Sequence, residues 1–204
     1  MSFYSIADYI KEYNPQYYGY SAYSADECVT IHKVDGEWGL FCNFASTPIE
    51  VGGVVFKSSE HLFQMMKFKD AAVIANIVNG ITNNGKRCHN IKKTVRSYEK
   101  VHRRKDWGRM VVDAMKFALQ KKYEQCAEFR AKLEESMGKY IVEDQTSMTK
   151  GNPDAWGVKL RGDKYIGPNL LGRLLMELRD NGGLEYSLPH DALDFIDKMK
   201  NVKE

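Results

Sequence analysis

Proline and cysteine are scarce in this chain, at five and four of 204 residues. Cys28, Cys42, Cys88 and Cys126 form no CxxC pair, and none stands at metal-ligand spacing from a histidine. That excludes a disulfide framework and a zinc-ribbon design, and the thiols are expected to be reduced core filler. His32, His61, His89, His102 and His190 make no HxxxH or HExxH pattern, so no metal and no other cofactor is expected. Long apolar runs are missing too. No stretch approaches the roughly 18 residues needed to cross a bilayer. The opening MSFYSIADYIKEYN lacks the basic start and apolar run of a signal peptide. The expected location is the cytoplasm, with no membrane partner.

Hydrophobic residues make up 43% of the chain and charged residues 28%, which suits a soluble domain able to bury a core unaided. The net charge of +3 is unevenly spread. The run KRCHNIKKTVRSYEKVHRRKDWGR, residues 86–109, holds ten Lys or Arg against two acids. Its excess of about +8 leaves the rest of the chain mildly acidic. Such a run attracts phosphate, on nucleic acid or on a small nucleotide; a solvated helix face produces the same pattern.

Residues 1–30 are rich in tyrosine (Tyr4, Tyr9, Tyr13, Tyr17, Tyr18, Tyr20, Tyr23) and read as an extension packed on the main domain. Ser5 is placed to cap a short helix, IADYIKEY, that ends at Asn14-Pro15. CVTIHKV and EWGLFCNF, separated by Asp35-Gly36, read as two strands, and IEVGGVVF as another pair about Gly52-Gly53. From Ser58 the pattern turns helical. SSEHLFQMMKFKDAAVIANIVNG reads as one helix capped by Ser58 or Ser59 and stopped by Gly80. RKDWGRMVVDAMKFALQKKYEQ follows with Asp106 as its cap, then AEFRAKLEESMG, then NLLGRLLMELRDNGG with Asn169 as cap and Gly182 as stop. HDALDFIDKMK is a last amphipathic stretch. The expected fold is mainly α with a small antiparallel β-sheet near the N-terminus.

One helix stands out. At about 100° per residue, Glu60, Gln64 and Lys67 fall within a stripe about 60° wide. Phe63 and Phe68 flank it, and Leu62, Met65 and Met66 cover most of the remaining circumference. A surface helix has one broad polar face. Charges confined to a narrow stripe must be paired or must line a cavity. Two plainer readings stand beside a functional one: an internal Glu60–Lys67 contact, and a first-turn Glu60 that complements the helix dipole. The dipole favours the charged carboxylate, which suits a base or an electrostatic stabiliser better than a general acid.

The block F-C-N-F, Phe41 to Phe44, precedes S-S-E-H-L-F-Q-M-M-K-F, Ser58 to Phe68. A-W-G, Ala155 to Gly157, precedes G-P-N-L-L-G-R-L-L-M-E-L-R, Gly167 to Arg179. In this order the blocks resemble the NADAR (YbiA-like) family over about residues 31–181. The resemblance implies a catalytic domain over 31–181, with 1–30 as an extension and 182–204 as a helical tail. It implies a multihelical N-glycosidase fold. Some members of the family are linked to phosphorylated ribosylamino intermediates of riboflavin synthesis. Others remove ADP-ribose from guanine in nucleic acid, reversing the work of an ADP-ribosylating toxin. Those substrates, and such a toxin as counterpart, are the implied partners; a non-catalytic ADP-ribose-binding module is the alternative class.

Carried over by residue, the resemblance makes Glu60 the catalytic glutamate of S-E-H-x-x-Q and assigns Lys67 to Q-x-x-K-F. Asn43 and Phe44 match a block that lines the site. Trp156 and Gly157 match a W-G pair with Asp154 the acid before it, Asn169 matches G-x-N-x-L-G, and Trp107 matches a tryptophan opening the central helix. Cys42 departs from a common serine, and Val158 from an aspartate found in some relatives.

Cleaving a ribosyl C1′–N bond builds positive charge on the sugar. Glu60 is the candidate to stabilise that charge and activate water, and Asp154 the weaker candidate to neutralise the leaving base. Lys67 either holds a phosphate or orients Glu60, or attacks C1′ as an amine of lowered pKa. Gln64, Asn43, Phe44, Trp107, Trp156, Gly157 and Asn169 complete the substrate-binding set, although each aromatic is also a plausible core side chain. The loop GVKLRGDKYIGPN, with Lys159, Arg161 and Lys164, either binds phosphate through backbone N–H groups or is an ordinary capped turn.

Overall fold

The computed structural model describes residues 5–83, 90–148 and 150–202. Along the chain run α1 (Ile6–Tyr13), β1 (Ser21–Ser24), β2 (Cys28–Ile31), β3 (Ile49–Val51), β4 (Val54–Phe56), α2 (Ser59–Met65), α3 (Ala71–Asn83), α4 (Asn90–His102) and α5 (Trp107–Gln125). Then come α6 (Ala127–Glu135), β5 (Tyr140–Glu143), β6 (Lys159–Arg161), β7 (Lys164–Gly167), α7 (Leu170–Asn181) and α8 (Phe195–Lys200). Helices dominate, as expected. Among the described residues no helix is long and apolar enough to cross a membrane. The chain forms two compact units, Met1–Cys42 with Cys126–Glu185, and Asn43–Gln125 with Tyr186–Glu204.

The first unit is built on two small sheets. Antiparallel β1, β7 and β6 lie in that order, and β2 pairs with β5 in parallel. Ser5 accepts from the Asp8 N–H while Asp8 accepts from the Ser5 N–H, a reciprocal cap that starts α1. The N-terminal segment is fastened to α7: Tyr17 Oη donates to Glu177 at 2.6 Å, and the Arg173 guanidinium donates to Ser21 Oγ at 2.5 Å. The expected strand EWGLFCNF is not one. Gly39–Phe41 is a 3-10 turn. The three-residue period of that turn sets Trp38 and Phe41 side by side, with centroids 5.5 Å apart, and Phe41 meets Phe129 of α6 edge-on at 6.1 Å. Asp35-Gly36 therefore does not link a hairpin, and the parallel partner of β2 comes from more than a hundred residues downstream.

In the second unit β3 and β4 form the expected hairpin, with Ile49 opposite Phe56. Gly52 and Gly53 turn it at φ +58° and +80°, which L-residues rarely adopt. The single helix expected from Ser58 to Gly80 is two helices. The chain breaks after Met65 because Lys67 and Phe68 turn to pair with the end of α4: the Arg104 N–H donates to the Lys67 carbonyl at 2.8 Å, and Phe68 bridges to Arg103. Asp70 then starts α3 by accepting from the Val73 N–H at 2.9 Å. Gly80 does not stop α3, which runs on to Asn83. Asp106, the residue before α5, gives its carboxylate to Arg104, at 2.7 and 2.8 Å. The Arg104 side chain is almost fully buried and also holds Asp191, at 2.7 Å. That links the start of α5 to the C-terminal segment. Phe195 of α8 packs edge-on against Phe56, 5.9 Å between centroids.

Candidate active site

The expected Glu60, Gln64 and Lys67 stripe lies in the second unit, and α2 is buried along its whole length. Its N-terminus is held from both sides. Ser58 Oγ accepts from the His61 N–H, and the Glu60 N–H donates to the Asn43 carbonyl at 2.9 Å. The Asn43 side chain bonds Ser59 Oγ, at 3.3 Å, and the Met115 sulfur, at 3.3 Å. Asn43 thus fixes where Glu60 starts. Phe44, the next residue, is half-buried.

Glu60 is 5% exposed, and Gln64 Nε2 donates to its carboxylate at 2.7 Å. Burial pushes the Glu60 carboxyl above the usual carboxylate range; the Gln64 bond and the charges of Lys92 and Lys67 oppose that only in part. The dipole argument, which favours the ion, is overruled by desolvation. Gln64 Oε1 is buried with no hydrogen-bond partner among the described residues, an acceptor beside the carboxyl of the kind that normally finds a donor.

Lys67 does not pair with Glu60. Its Nζ makes an ion pair with the Glu99 carboxylate on α4. It also lies over the rings of Phe63 and Trp107, 5.7 Å from each centroid. Burial lowers the Lys67 pKa, opposed by Glu99. Trp107 is 2% exposed and packs on Phe63 at 5.2 Å. It is therefore at once a core side chain and a wall for the Lys67 ammonium.

The basic run contributes what the sequence reading did not single out: Glu99, Lys92 and Arg103. Lys92 and Glu99 are seven residues apart and fall on one face of α4, so the charges of α4 and of the segment Glu60–Lys67 are crossed. Acidic Glu60 feels cationic Lys92, and cationic Lys67 binds acidic Glu99. The available signal was that Glu99 is the lone acid from residue 86 to residue 105. Lys92, Lys93, Arg96 and Lys100 are exposed on α4, whereas Arg104 is buried. Lys86, Arg87, Cys88 and His89 lie outside the described residues.

The remaining expected residues lie in the first unit. Asp154 is exposed, and its Oδ1 accepts from Gln145 Nε2 at 2.7 Å and from the Trp156 N–H at 2.9 Å. It holds the turn that carries Trp156, which is half-buried. Gly157 is packed so closely that a Cβ there would lie 2.5 Å from the Glu143 carbonyl oxygen. Asn169 is fully buried. Its amide donates to the Ile141 carbonyl at 2.9 Å and accepts from the Glu143 N–H at 3.2 Å. It precedes α7 with φ +54° and makes no side-chain cap; its amide is occupied in joining α7 to β5. In the glycine-rich loop Lys159 is buried, while Arg161 and Lys164 are exposed. Among the described residues no group of three or more His, Cys, Asp or Glu could hold a metal.

The NADAR domain profile matches residues 31–181. A protein of Shigella boydii serotype 4 (strain Sb227) named N-glycosidase YbiA is 33% identical over 78% of this chain and 91% of its own. Its namesake from Escherichia coli (strain K12) is 32% identical with the same coverage. A Vibrio vulnificus protein named as a riboflavin biosynthesis protein is 26% identical over 86% of this chain, which spans 43% of that relative. The solution structure of Escherichia coli YbiA matches at a TM-score of 0.56 and 30% identity, covering 81% of this chain and 92% of that one. The profile match spans most of the chain and contains the Glu60, Gln64 and Lys67 array, and this protein belongs to the NADAR family.

Proposed function

We propose that this protein is an N-glycosidase that hydrolyses a ribosyl C1′–N bond, with Glu60 as its catalytic residue. The carrying observation is a buried carboxyl that desolvation keeps protonated to higher pH than usual, beside the unpartnered Gln64 Oε1. A neutral Glu60 donates its proton to the departing nitrogen. The carboxylate left behind faces the positive charge developing at C1′, and water adds to that carbon and returns a proton to Glu60. Gln64 Nε2 holds the carboxyl, and its Oε1 accepts from a substrate donor such as a ribose hydroxyl. The ion pair with Glu99 favours Lys67 as a charged orienting group over Lys67 as a nucleophilic amine. Asn43 serves as a positioning residue, and Phe44 lines the site.

Within this reaction the proposed substrate is ADP-ribosylated guanine in nucleic acid. The exposed cations of α4 support it, because a polyanion gains from several such charges at once. The relative named for riboflavin biosynthesis supports a second reading, a phosphorylated ribosylamine. Incubation with each substrate and identification of the products by mass separates them. Release of ADP-ribose from the oligonucleotide, with affinity that falls steeply as salt rises, supports the first. Turnover of the small ribosylamine alone, indifferent to salt, supports the second. Absence of turnover on both, together with tight binding of ADP-ribose, leaves a binding module and ends the enzymatic reading.

A further inference from the structure

We propose that Glu99 is the positioning residue of this site: its carboxylate holds the Lys67 ammonium on the α4 side, against Phe63 and Trp107 and apart from Glu60. The inference rests on the N-glycosidase reading only for its catalytic meaning. Lys67 follows the last turn of α2, where the chain has just broken to pair with the end of α4, so its side chain emerges beside that helix. Two aromatic faces and one carboxylate surround Nζ. The Lys67 side chain is 10% exposed and that of Glu99 is 30% exposed. The pair therefore sits at the edge of the buried array, with its acid on the outer side. Charged groups face Lys67 from each charged neighbour: Glu99 and Arg103 from α4 and the residue after it, and Glu60 from α2. Glu99 is the acid that touches Nζ.

The consequence is a division of labour. With Glu99 in place the ammonium is anchored on the α4 side, so among the described residues Glu60 makes no ion pair and retains its raised affinity for a proton. Without Glu99 the amine is released into an apolar surround that favours its neutral form. Lys67 then titrates at lower pH, and a larger fraction of it is the neutral, reactive amine at a given pH.

The test needs no substrate. Trace acetylation of the folded protein is followed by mass spectrometry at Lys67 across pH, for wild type, Glu99→Gln and Glu99→Asp. Glu99→Gln is expected to move the Lys67 midpoint down by at least one unit, seen as about a tenfold gain in labelling at a fixed pH below that midpoint. Glu99→Asp, which keeps the charge, is expected to return most of the shift. A Glu99→Gln protein that folds, melts earlier, yet labels at Lys67 like wild type shows a merely structural residue and overturns the proposal. Should that variant not fold, a Glu60→Gln background decides. There the Lys67 13Cε resonance must move on acidification, and a resonance that stays put overturns the proposal equally. Where turnover is established, Glu99→Gln should shift the pH profile of kcat/KM while Glu99→Asp restores it. Failure of turnover with the labelling shift intact refutes the N-glycosidase reading and leaves the Glu99 assignment standing.

Discussion

Glu60 is buried and carries one hydrogen bond from a neutral amide, a poor environment for a charge. Its raised pKa has a thermodynamic counterpart. A carboxyl that binds its proton more tightly in the folded than in the unfolded chain contributes stability below the unfolded pKa, and loses it as pH rises through the folded one. Glu60→Gln removes that loss, so the variant should melt higher than wild type at pH 8, with the difference shrinking towards pH 4. It should also abolish turnover while leaving ligand affinity within about tenfold. A variant that melts lower than wild type at pH 8 would contradict the burial argument. Activity that depends on neutral Glu60 should fall as pH rises through the same ionisation, which a kcat/KM profile reads directly.

At the scale of elements, His61 shows how α2 is locked. Its Nδ1 accepts from the Lys57 N–H at 3.2 Å, its ring meets Phe56 edge-on, and burial lowers its pKa to about 4. The unfolded chain, with an ordinary histidine near 6.5, therefore binds the proton first on acidification. Stability should decline between about pH 6.5 and 4, by at most about 1.4 kcal/mol per pH unit from this group. His61→Asn keeps an acceptor for the Lys57 N–H and cannot titrate, so its urea midpoint should be flatter across that window. An unchanged slope would remove His61 from the acid response. The Arg104, Asp106 and Asp191 cluster joins the approach to α5 with the C-terminal segment. Arg104→Ala removes the buried guanidinium from a cluster in which Lys69 still holds Asp191, and should cost about 1.5–3 kcal/mol by urea unfolding. A loss below about 1 kcal/mol would assign the cluster to the solvated surface.

At the scale of the whole molecule, the C-terminal segment lies beyond the profile match yet belongs to the unit that carries Glu60. Phe195, Ile196 and Met199 are 2%, 5% and 4% exposed. Burial of each is worth about 1.5–3 kcal/mol, a sum comparable with the stability of a typical domain. A chain ending at Glu185 should lose its cooperative thermal transition and bind a hydrophobic dye. Retention of a sharp transition near that of wild type would make the tail dispensable.

The helical character, the hairpin at Gly52-Gly53, the caps at Ser5 and Ser58 and the Glu60–Gln64 pair of α2 were legible in the sequence. Each rests on local geometry: a period of 3.6 or 2, a turn glycine, or a side chain that bonds a backbone group a few residues away. Tertiary contacts decided the rest. Trp38 and Phe41 pack as a 3-10 turn because an aromatic ring of α6 awaits them, and β2 takes a parallel partner from far along the chain. The long helix breaks after Met65 because the end of α4 pairs with Lys67 and Phe68. That same break brings Lys67 to Glu99, a partner thirty-two residues away, and the depth at which the array is buried pushes the Glu60 pKa up, against the direction that the helix dipole alone dictates. Periodicity tells which side chains share a face; it carries no information on which distant charge faces them or how much water remains, and those two quantities set the chemistry.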